Sequence, residues 1–402
     1  MMKRKNEYKL GIGTLTTALG NLVYDVACNI VLSNFSGRSS LYTAIYQSSE
    51  LVIGILVNLF GGVFSDRAND KRKILVVTDL LCALSCFGLA FFTNSPYLIS
   101  AIILVNILLA LFSSFNSPAI SSIVKFALEE DRIGRYNSII RGMKEVVRVS
   151  APVISIFLLD VLGFRGVVLF NAATFLISAL FEMYLYLPEI EKEKIKSGIW
   201  KDMKEGLDFI FHSKALFLLI LFGALVNFFF AGLGLFLPYT KNFFKESFLN
   251  PYVIFKSTGA VGGIAAALFA YILNKQKTQR MIIYIVFCGI SILLLYSAIQ
   301  MQTLILGAIA AFGYSFFLSC FNITFMTNVQ INTPEEYIGR VFSVIYTLLI
   351  LFMPVGSFLF SALFTTDNAS SYLVIGLGII AVSLGTLVLS RRIEKKPKDM
   401  SG

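Results

Sequence analysis

The chain has 402 residues, of which 56% are hydrophobic and 14% are charged, and its mean hydropathy is +0.77. Soluble domains carry about 25% charged residues, so this composition excludes an ordinary soluble protein and predicts that lipid surrounds most of the chain. The net charge of +10 does not indicate binding to nucleic acid, because the basic residues lie mainly in loops between apolar segments, where they orient membrane helices.

Twelve apolar segments are long enough to cross a bilayer, which takes about 20 residues of helix. They cover residues 10–32, 41–64, 74–93, 97–118, 138–160, 165–187, 214–238, 252–273, 279–300, 303–326, 338–363 and 370–390. The sequence therefore predicts an all-α integral membrane protein with twelve transmembrane helices. The expected organisation is a six-helix half over 1–187, a cytoplasmic linker with an amphipathic helix over 188–213, a second half over 214–390 and a tail over 391–402.

The charges of the loops predict the orientation of these helices. Loops and termini on the side of the N-terminus carry 26 Lys and Arg residues, whereas loops on the opposite side carry five. Because short basic loops remain in the cytoplasm, both termini are expected there, with the chain in the inner membrane of a bacterial cell.

An internal repeat indicates two related halves. Residues 130–140 read EDRIGRYNSII and residues 335–345 read EEYIGRVFSVI, at an offset of 205 residues. Each copy opens a predicted span, and each of these spans contains a proline, Pro152 or Pro354. Parallel repeats of this kind are typical of secondary transporters built from two six-helix halves.

A polar face follows the first predicted span. Its members recur at spacings that place them on one side of a helix: Thr14, Thr17, Asn21, Asp25, Cys28 and Asn29. A carboxyl near mid-membrane is costly in lipid, so Asp25 is expected to face the protein interior. Two roles for Asp25 stay open. It either couples transport to protons or recognises a cation, or it is a structural carboxyl neutralised by a nearby base.

The fifth predicted span carries four charged residues in its first half: Arg141, Lys144, Glu145 and Arg148. Their spacing places them on one helix face, and Glu145 can pair with Arg141 or Arg148. So many charges cannot face lipid, so they either line a water-filled cavity or form an ion-pair network. The face either binds an anionic part of a substrate or balances the charges of Asp25 and Glu50.

Other polar residues lie within the remaining predicted spans. Asn106 in the fourth span and Asn227 in the seventh are candidates for the wall of a substrate cavity. Asp79 and Glu182 lie near the cytoplasmic ends of their spans, where pairing at the membrane interface is expected. The five cysteines all fall in apolar segments and are predicted to be buried free thiols.

The sequence lacks the patterns that would indicate an enzyme. It has no Gly-x-x-x-x-Gly-Lys-Ser/Thr loop for a nucleotide and no spacing of catalytic metal ligands. We therefore expect no cofactor and no ATP-driven pump, but a chain whose partners are the bilayer, a small molecule and protons.

The loop between spans two and three, Gly61 to Lys73, reads GGVFSDRANDKRK. It resembles the signature loop of the major facilitator superfamily, from which Asp70 departs. The matching positions are Gly62, Asp66, Arg67, Lys71 and Arg72. The resemblance implies a conformational gate in which this loop contacts the start of span eleven at Gly339 and Arg340. It also implies alternating access of a central site to the two sides of the membrane.

The segments Pro334 to Ser343 and Met353 to Gly356 are similar to the macrolide-efflux branch of that superfamily. The resemblance implies a monomeric, proton-coupled antiporter that exports a drug-like or amphiphilic metabolite and confers drug resistance. Asn106 stands where relatives have an arginine, and the span-five charges also depart from the branch. Two alternatives stay open: transport of a small anionic metabolite by uptake or facilitated passage, and a receptor or scaffold without transport.

Overall fold

The structure is a computed structural model that describes residues 2–35, 39–67, 71–128, 130–185, 199–244, 247, 249–269, 278–333 and 338–395. Helices contain nearly all of these residues, and no strand occurs in the described ranges. The all-α prediction is therefore confirmed. The chain divides into two compact units, unit 1 over Met1–Lys196 and unit 2 over Ser197–Gly402.

Unit 1 contains five long helices in the described ranges. They are α1 Met2–Ser33, α2 Ser39–Arg67, α3 Lys71–Ala90, α4 Leu98–Ala127 and α5 Glu130–Met183. α1 and α3 both pack against α5, while α2 packs against α4. Their contact surfaces form an apolar core that includes Tyr24, Leu89, Ile102 and Phe175.

α5 consists of two helices that meet at Gly163. The φ of 64° and ψ of −179° at Gly163 are not helical, and only glycine adopts them without steric strain. We call the helix before Gly163 α5a and the helix after it α5b. They correspond to the fifth and sixth predicted spans.

In the part of unit 2 that the structure describes, a short helix is followed by seven more α-helices. They are α6 Ile199–His212, α7 Lys214–Phe236, α8 Pro251–Leu268, α9 Thr278–Gln300, α10 Leu304–Asn332, α11 Ile338–Ile350, α12 Met353–Leu363 and α13 Ser370–Lys395. A 3-10 segment, Leu237–Asn242, continues α7. α10 packs against α8 and α9, and α13 packs against α7 and α9, so the long helices share one body.

The predicted span over 338–363 is divided into two helices. α11 ends at Ile350, and α12 begins at Met353 with Pro354 in its first turn. Proline has no backbone N–H for the preceding turn, and its ring displaces the carbonyl four residues earlier, so the helix restarts at this point. The stretch Val344–Leu363 is nevertheless apolar and long enough to count as one span.

Within the described residues, eleven helical stretches are long and apolar enough to cross a membrane. One of them, Arg135–Met183, has 49 residues and contains both α5a and α5b, so the eleven stretches account for the twelve predicted spans. The chain is a multi-pass membrane protein. Several helices exceed the predicted spans: α4 reaches Ala127 and α5 begins at Glu130, so much of the predicted loop over 119–137 is helical.

Candidate functional site

Asp25 lies in a hydrogen-bonded cluster that joins α1 to α2. Its Oδ1 accepts a hydrogen bond from Asn29 Nδ2 at 3.0 Å and another from the Tyr46 hydroxyl at 3.3 Å. Asn29 Oδ1 accepts in turn from Gln47 Nε2 at 2.9 Å. Asn29 and Tyr46 are buried, so these bonds form inside unit 1 and not on its surface.

Asn106 extends this cluster to α4. Its Nδ2 donates to the backbone carbonyl of Tyr46 at 2.8 Å and to the Ser49 hydroxyl at 3.0 Å. Asn106 is buried, and it ties α4 to the turn of α2 that carries Tyr46. We call Asp25, Asn29, Tyr46, Gln47, Ser49 and Asn106 the Asp25 cluster.

The carboxyl of Asp25 is held by neutral donors. No Lys or Arg in the described ranges forms an ion pair with it. Glu50, the residue after Ser49 on α2, is exposed. The donors to this carboxyl are thus an amide and a phenol, neither of which carries a charge.

The charged face of α5a is exposed rather than buried within unit 1. Arg141 and Lys144 are exposed, and the side chain of Arg148 is 59% exposed. Arg148 Nη1 lies 3.3 Å from Glu145 Oε2, so its described ionic partner is its own neighbour on the helix and not Asp25. The face presents an excess of positive charge that the Asp25 cluster does not use.

Two further predicted site residues are Asn21 in unit 1 and Asn227 in unit 2. Asn21 is half-buried on α1. In unit 2, Asn227 Nδ2 on α7 donates to the backbone carbonyl of Leu349 at 2.9 Å. Asn227 therefore bonds to the last turn of α11, just before the helix is interrupted.

Most side chains of the predicted gate lie outside what the structure describes, although the backbone at these positions belongs to α2, α3 and α11. The side chains concerned are those of Gly62, Asp66, Arg67, Lys71, Gly339 and Arg340. Arg72 is described, and its Nη1 donates to the backbone carbonyl of Leu185 at 3.3 Å, just beyond the end of α5b. The role of the loop as a gate remains a prediction.

Sequence reasoning missed three members of the Asp25 cluster: Tyr46, Gln47 and Ser49. A signal for them exists, because residues 46–50 read YQSSE within an otherwise apolar span. A polar run at that depth requires interior partners, since lipid offers none. The polar face of α1 supplies them.

A sequence model described as Major Facilitator Superfamily matches residues 10–357. The chain belongs to the Major Facilitator Superfamily. Because members of this superfamily are transporters, the chain is a transporter and not an enzyme. The all-α fold, the multi-pass topology and the superfamily resemblance expected from the sequence are confirmed.

Among its relatives, this superfamily member is similar to Macrolide efflux protein A of Streptococcus pyogenes, at 23% identity over 90% of the chain and 91% of that protein. It is also 26% identical to the putative bacilysin exporter BacE of Bacillus subtilis, over 84% of the chain and 82% of that protein. The nucleoside transporter NupG shares the fold with a TM-score of 0.74 at 15% identity, over 98% of this chain and all of that chain (100%).

Proposed function

We propose that this transporter exports a drug-like or amphiphilic small molecule in exchange for protons, and that Asp25 binds the exchanged proton. The observation that carries the proposal is the Asp25 cluster, in which a carboxyl inside a membrane helix bundle is held by neutral donors from α1 and α2. Acids at such a position are expensive in lipid and mark proton or substrate pathways in membrane proteins.

The names of the relatives support export as the direction of transport. The similar proteins from Streptococcus pyogenes and Bacillus subtilis are named for efflux and for export, which supports export by this chain as well. The proposal places it as a monomer in the inner membrane of a bacterium, with both termini in the cytoplasm. Its two halves alternate in exposing a central site to either side.

Proton binding gives the Asp25 cluster two states. As a carboxylate, Asp25 accepts hydrogen bonds from Asn29 and Tyr46, and charge-assisted bonds of this kind are stronger than neutral ones. A protonated carboxyl accepts more weakly and brings a donor of its own. Uptake of a proton therefore loosens the hold of α1 on α2, and that change couples the proton to the transport cycle.

The test compares two conservative variants. A susceptibility panel of cells that express the chain identifies a transported compound, and its efflux is then measured in vesicles with and without an imposed pH gradient. Asp25→Asn is expected to bind the compound but to lose the dependence on the gradient. Asp367→Asn, in the loop before α13, is the matched control and keeps that dependence. An unchanged response of Asp25→Asn removes Asp25 from the coupling mechanism.

A second candidate function is the transport of a small anionic metabolite. The observation that favours it is the exposed basic face of α5a, where Arg141 and Lys144 have no described ionic partner and only Arg148 is paired. In this case Arg141→Gln and Lys144→Gln weaken the uptake of organic anions into proteoliposomes, while efflux of amphiphiles is unaffected. If the proteoliposomes accumulate none of the organic anions in a test panel, this candidate function is rejected.

A further inference from the structure

Two acids meet inside unit 1, away from the Asp25 cluster. Asp79 on α3 and Glu182 near the end of α5b are only 4% and 2% exposed. The Ser178 hydroxyl donates to Glu182 Oε1 at 3.4 Å. We call Asp79 and Glu182 the acid pair. Sequence reasoning expected each acid to pair at the membrane interface, but both are buried where α3 packs against α5b, a packing that also brings Asn171 Nδ2 to 3.7 Å from Cys86 Sγ.

Each acid of the pair has one oxygen that no described donor reaches. Asn116 Nδ2 on α4 donates to Asp79 Oδ1 at 3.2 Å, and Ser178 supplies Glu182 Oε1. Asp79 Oδ2 and Glu182 Oε2 are buried and have no hydrogen-bond partner. A buried carboxylate oxygen without a hydrogen-bond donor is costly in free energy. The state in which both acids are ionised is therefore unfavourable.

The other described charged groups near this end of unit 1 do not pair with the two acids. On α1, Lys9 donates to the carbonyl of Tyr184, and Glu7 forms an ion pair with Arg132 of α5a at 2.8 Å. On α3, Arg72 donates to the carbonyl of Leu185, Lys73 is exposed and Cys82 is a buried free thiol. The described neighbour on α4 is the neutral Asn116. No described base forms an ion pair with either acid.

α1 closes the site from the remaining side. A Cβ at Gly13 would lie 3.0 Å from Ser178 Oγ and 3.8 Å from Glu182 Oε1, so the backbone of α1 covers the pair closely. Gly13 and Asp25 are twelve residues apart, or about 18 Å along the helix. The acid pair is therefore separate from the Asp25 cluster.

We propose that Asp79 and Glu182 share one proton and form a further proton-binding site of unit 1. Two carboxylates buried at the same packing of α3 against α5b, each with an oxygen that lacks a donor, repel each other, and a single proton from solvent removes that repulsion. One acid becomes a neutral carboxylic acid and the other remains a carboxylate, with the proton assigned to the oxygens Asp79 Oδ2 and Glu182 Oε2. This proposal goes beyond proton-coupled export and holds even for a transporter that uses no proton gradient.

The donors around the pair favour a proton over a metal ion. Asn116 Nδ2 donates to both Thr78 Oγ1, at 3.0 Å, and Asp79, and Thr78 itself donates to the carbonyls of Ile74 and Leu75. The amide nitrogen therefore faces Asp79, and an N–H group repels a cation. In the described residues, no group of three His, Cys, Asp or Glu side chains is arranged to hold a metal.

The test uses infrared spectroscopy of the full chain in lipid nanodiscs. A carboxylic-acid C=O band is expected at pH 7 in the wild type and in Asp25→Asn, because the pair holds its proton without Asp25. The double variant Asp79→Asn/Glu182→Gln keeps side-chain size and loses the band. Glu182→Gln alone also loses it, because Asp79 keeps its donor Asn116 and is then the only carboxylate of the pair.

Thermal unfolding gives an independent readout. The folded chain binds the shared proton, and the unfolded chain releases it. Because the folded state therefore binds more protons, its stability decreases as pH rises. The wild type is therefore expected to melt at lower temperature as pH is raised from neutral to alkaline, with a smaller decrease in the double variant. A wild type without the acid band, or an equal band in the double variant, overturns the proposal. So does a melting temperature that rises with sodium but not with choline, which identifies a cation site instead.

Discussion

At the scale of single residues, Asp25 illustrates how an acid is accommodated in a membrane helix. Its cost in lipid is offset by an amide from its own helix and a phenol from the next one. The same two bonds fix the position of its carboxyl relative to α2. Asp25 thus joins α1 to α2, and a change in its charge alters the contact between these two helices.

Tyr46→Phe tests this arrangement by removing one oxygen. The ring of Tyr46 is buried and keeps its packing, while Asp25 loses the donor at 3.3 Å. We expect a loss of about 0.5–1.5 kcal/mol in the free energy of unfolding. We also expect slower efflux per folded molecule, because the carboxyl is less well positioned.

Tyr372→Phe is the matched control for this variant. Tyr372 is also buried, and its hydroxyl donates to the carbonyl of Phe236 at 2.8 Å within unit 2. The control therefore loses a comparable amount of stability but keeps the wild-type efflux rate per folded molecule. Equal efflux by both variants, measured at equal amounts of monodisperse protein, contradicts a functional role for the Tyr46 hydroxyl.

At the scale of helices, unit 2 depends on close approach between backbones. A Cβ at Gly262 on α8 would lie 2.4 Å from the backbone carbonyl oxygen of Phe312 on α10. Backbone cannot rotate aside as a side chain does, so Gly262→Ala must separate the two helices. We expect it to lower the free energy of unfolding by about 1–3 kcal/mol.

The control for Gly262→Ala is Gly88→Ala on α3. A Cβ at Gly88 meets nothing within 4 Å, so only the gain in helix propensity remains. Thermal unfolding of the two variants in the same detergent separates packing from propensity. A melting temperature of Gly262→Ala at or above that of Gly88→Ala shows that α8 and α10 do not approach as described.

The junction between α5a and α5b depends on one backbone conformation. Gly163→Ala places a Cβ at a φ of 64°, with an expected cost of about 1–3 kcal/mol. Gly142→Ala, inside α5a with nothing within 4 Å of its Cβ, is expected to gain about 0.5–1 kcal/mol instead. Both are measured as shifts in the melting temperature, and a loss of stability in both variants removes the special role of Gly163.

Which features the sequence predicts depends on the range of the forces involved. Apolar runs identify the spans because each span satisfies its own backbone and needs only length and hydropathy. The division at residues 351 and 352 was not predicted, although Pro354 marks it, because a proline inside a helix either bends or interrupts it, depending on packing. Helix ends such as Ala127 also lay beyond the apolar runs.

The sequence predicted only some residues of the candidate site, for a related reason. Helical spacing placed Asp25 and Asn29 on one face of α1, because that spacing is a local property. It gave no information on which turn of α2 lies opposite, so Tyr46 and Gln47 were missed. The meeting of Asp79 and Glu182 likewise depends on the packing of α3 against α5b and not on any local pattern.

At the scale of the whole molecule, the Asp66 loop carries the prediction with the widest consequence. From the resemblance of the Gly61–Lys73 loop to the superfamily signature, we propose that the charge of Asp66 acts on the start of span eleven and thereby stabilises one of the two transport states. A carboxylate at a helix N-terminus contributes about 0.3–2 kcal/mol. Because about 1.4 kcal/mol is a factor of ten, removing the charge shifts the balance of the states by at most ~30-fold. Asp66→Asn is therefore expected to insert normally and to transport more slowly by up to that factor.

Asp70→Asn removes the same charge four residues later, at the position that departs from the signature, and is expected to retain the wild-type rate. Efflux per inserted molecule is the measurement, and a wild-type rate for Asp66→Asn at equal expression shows that the loop fixes topology alone.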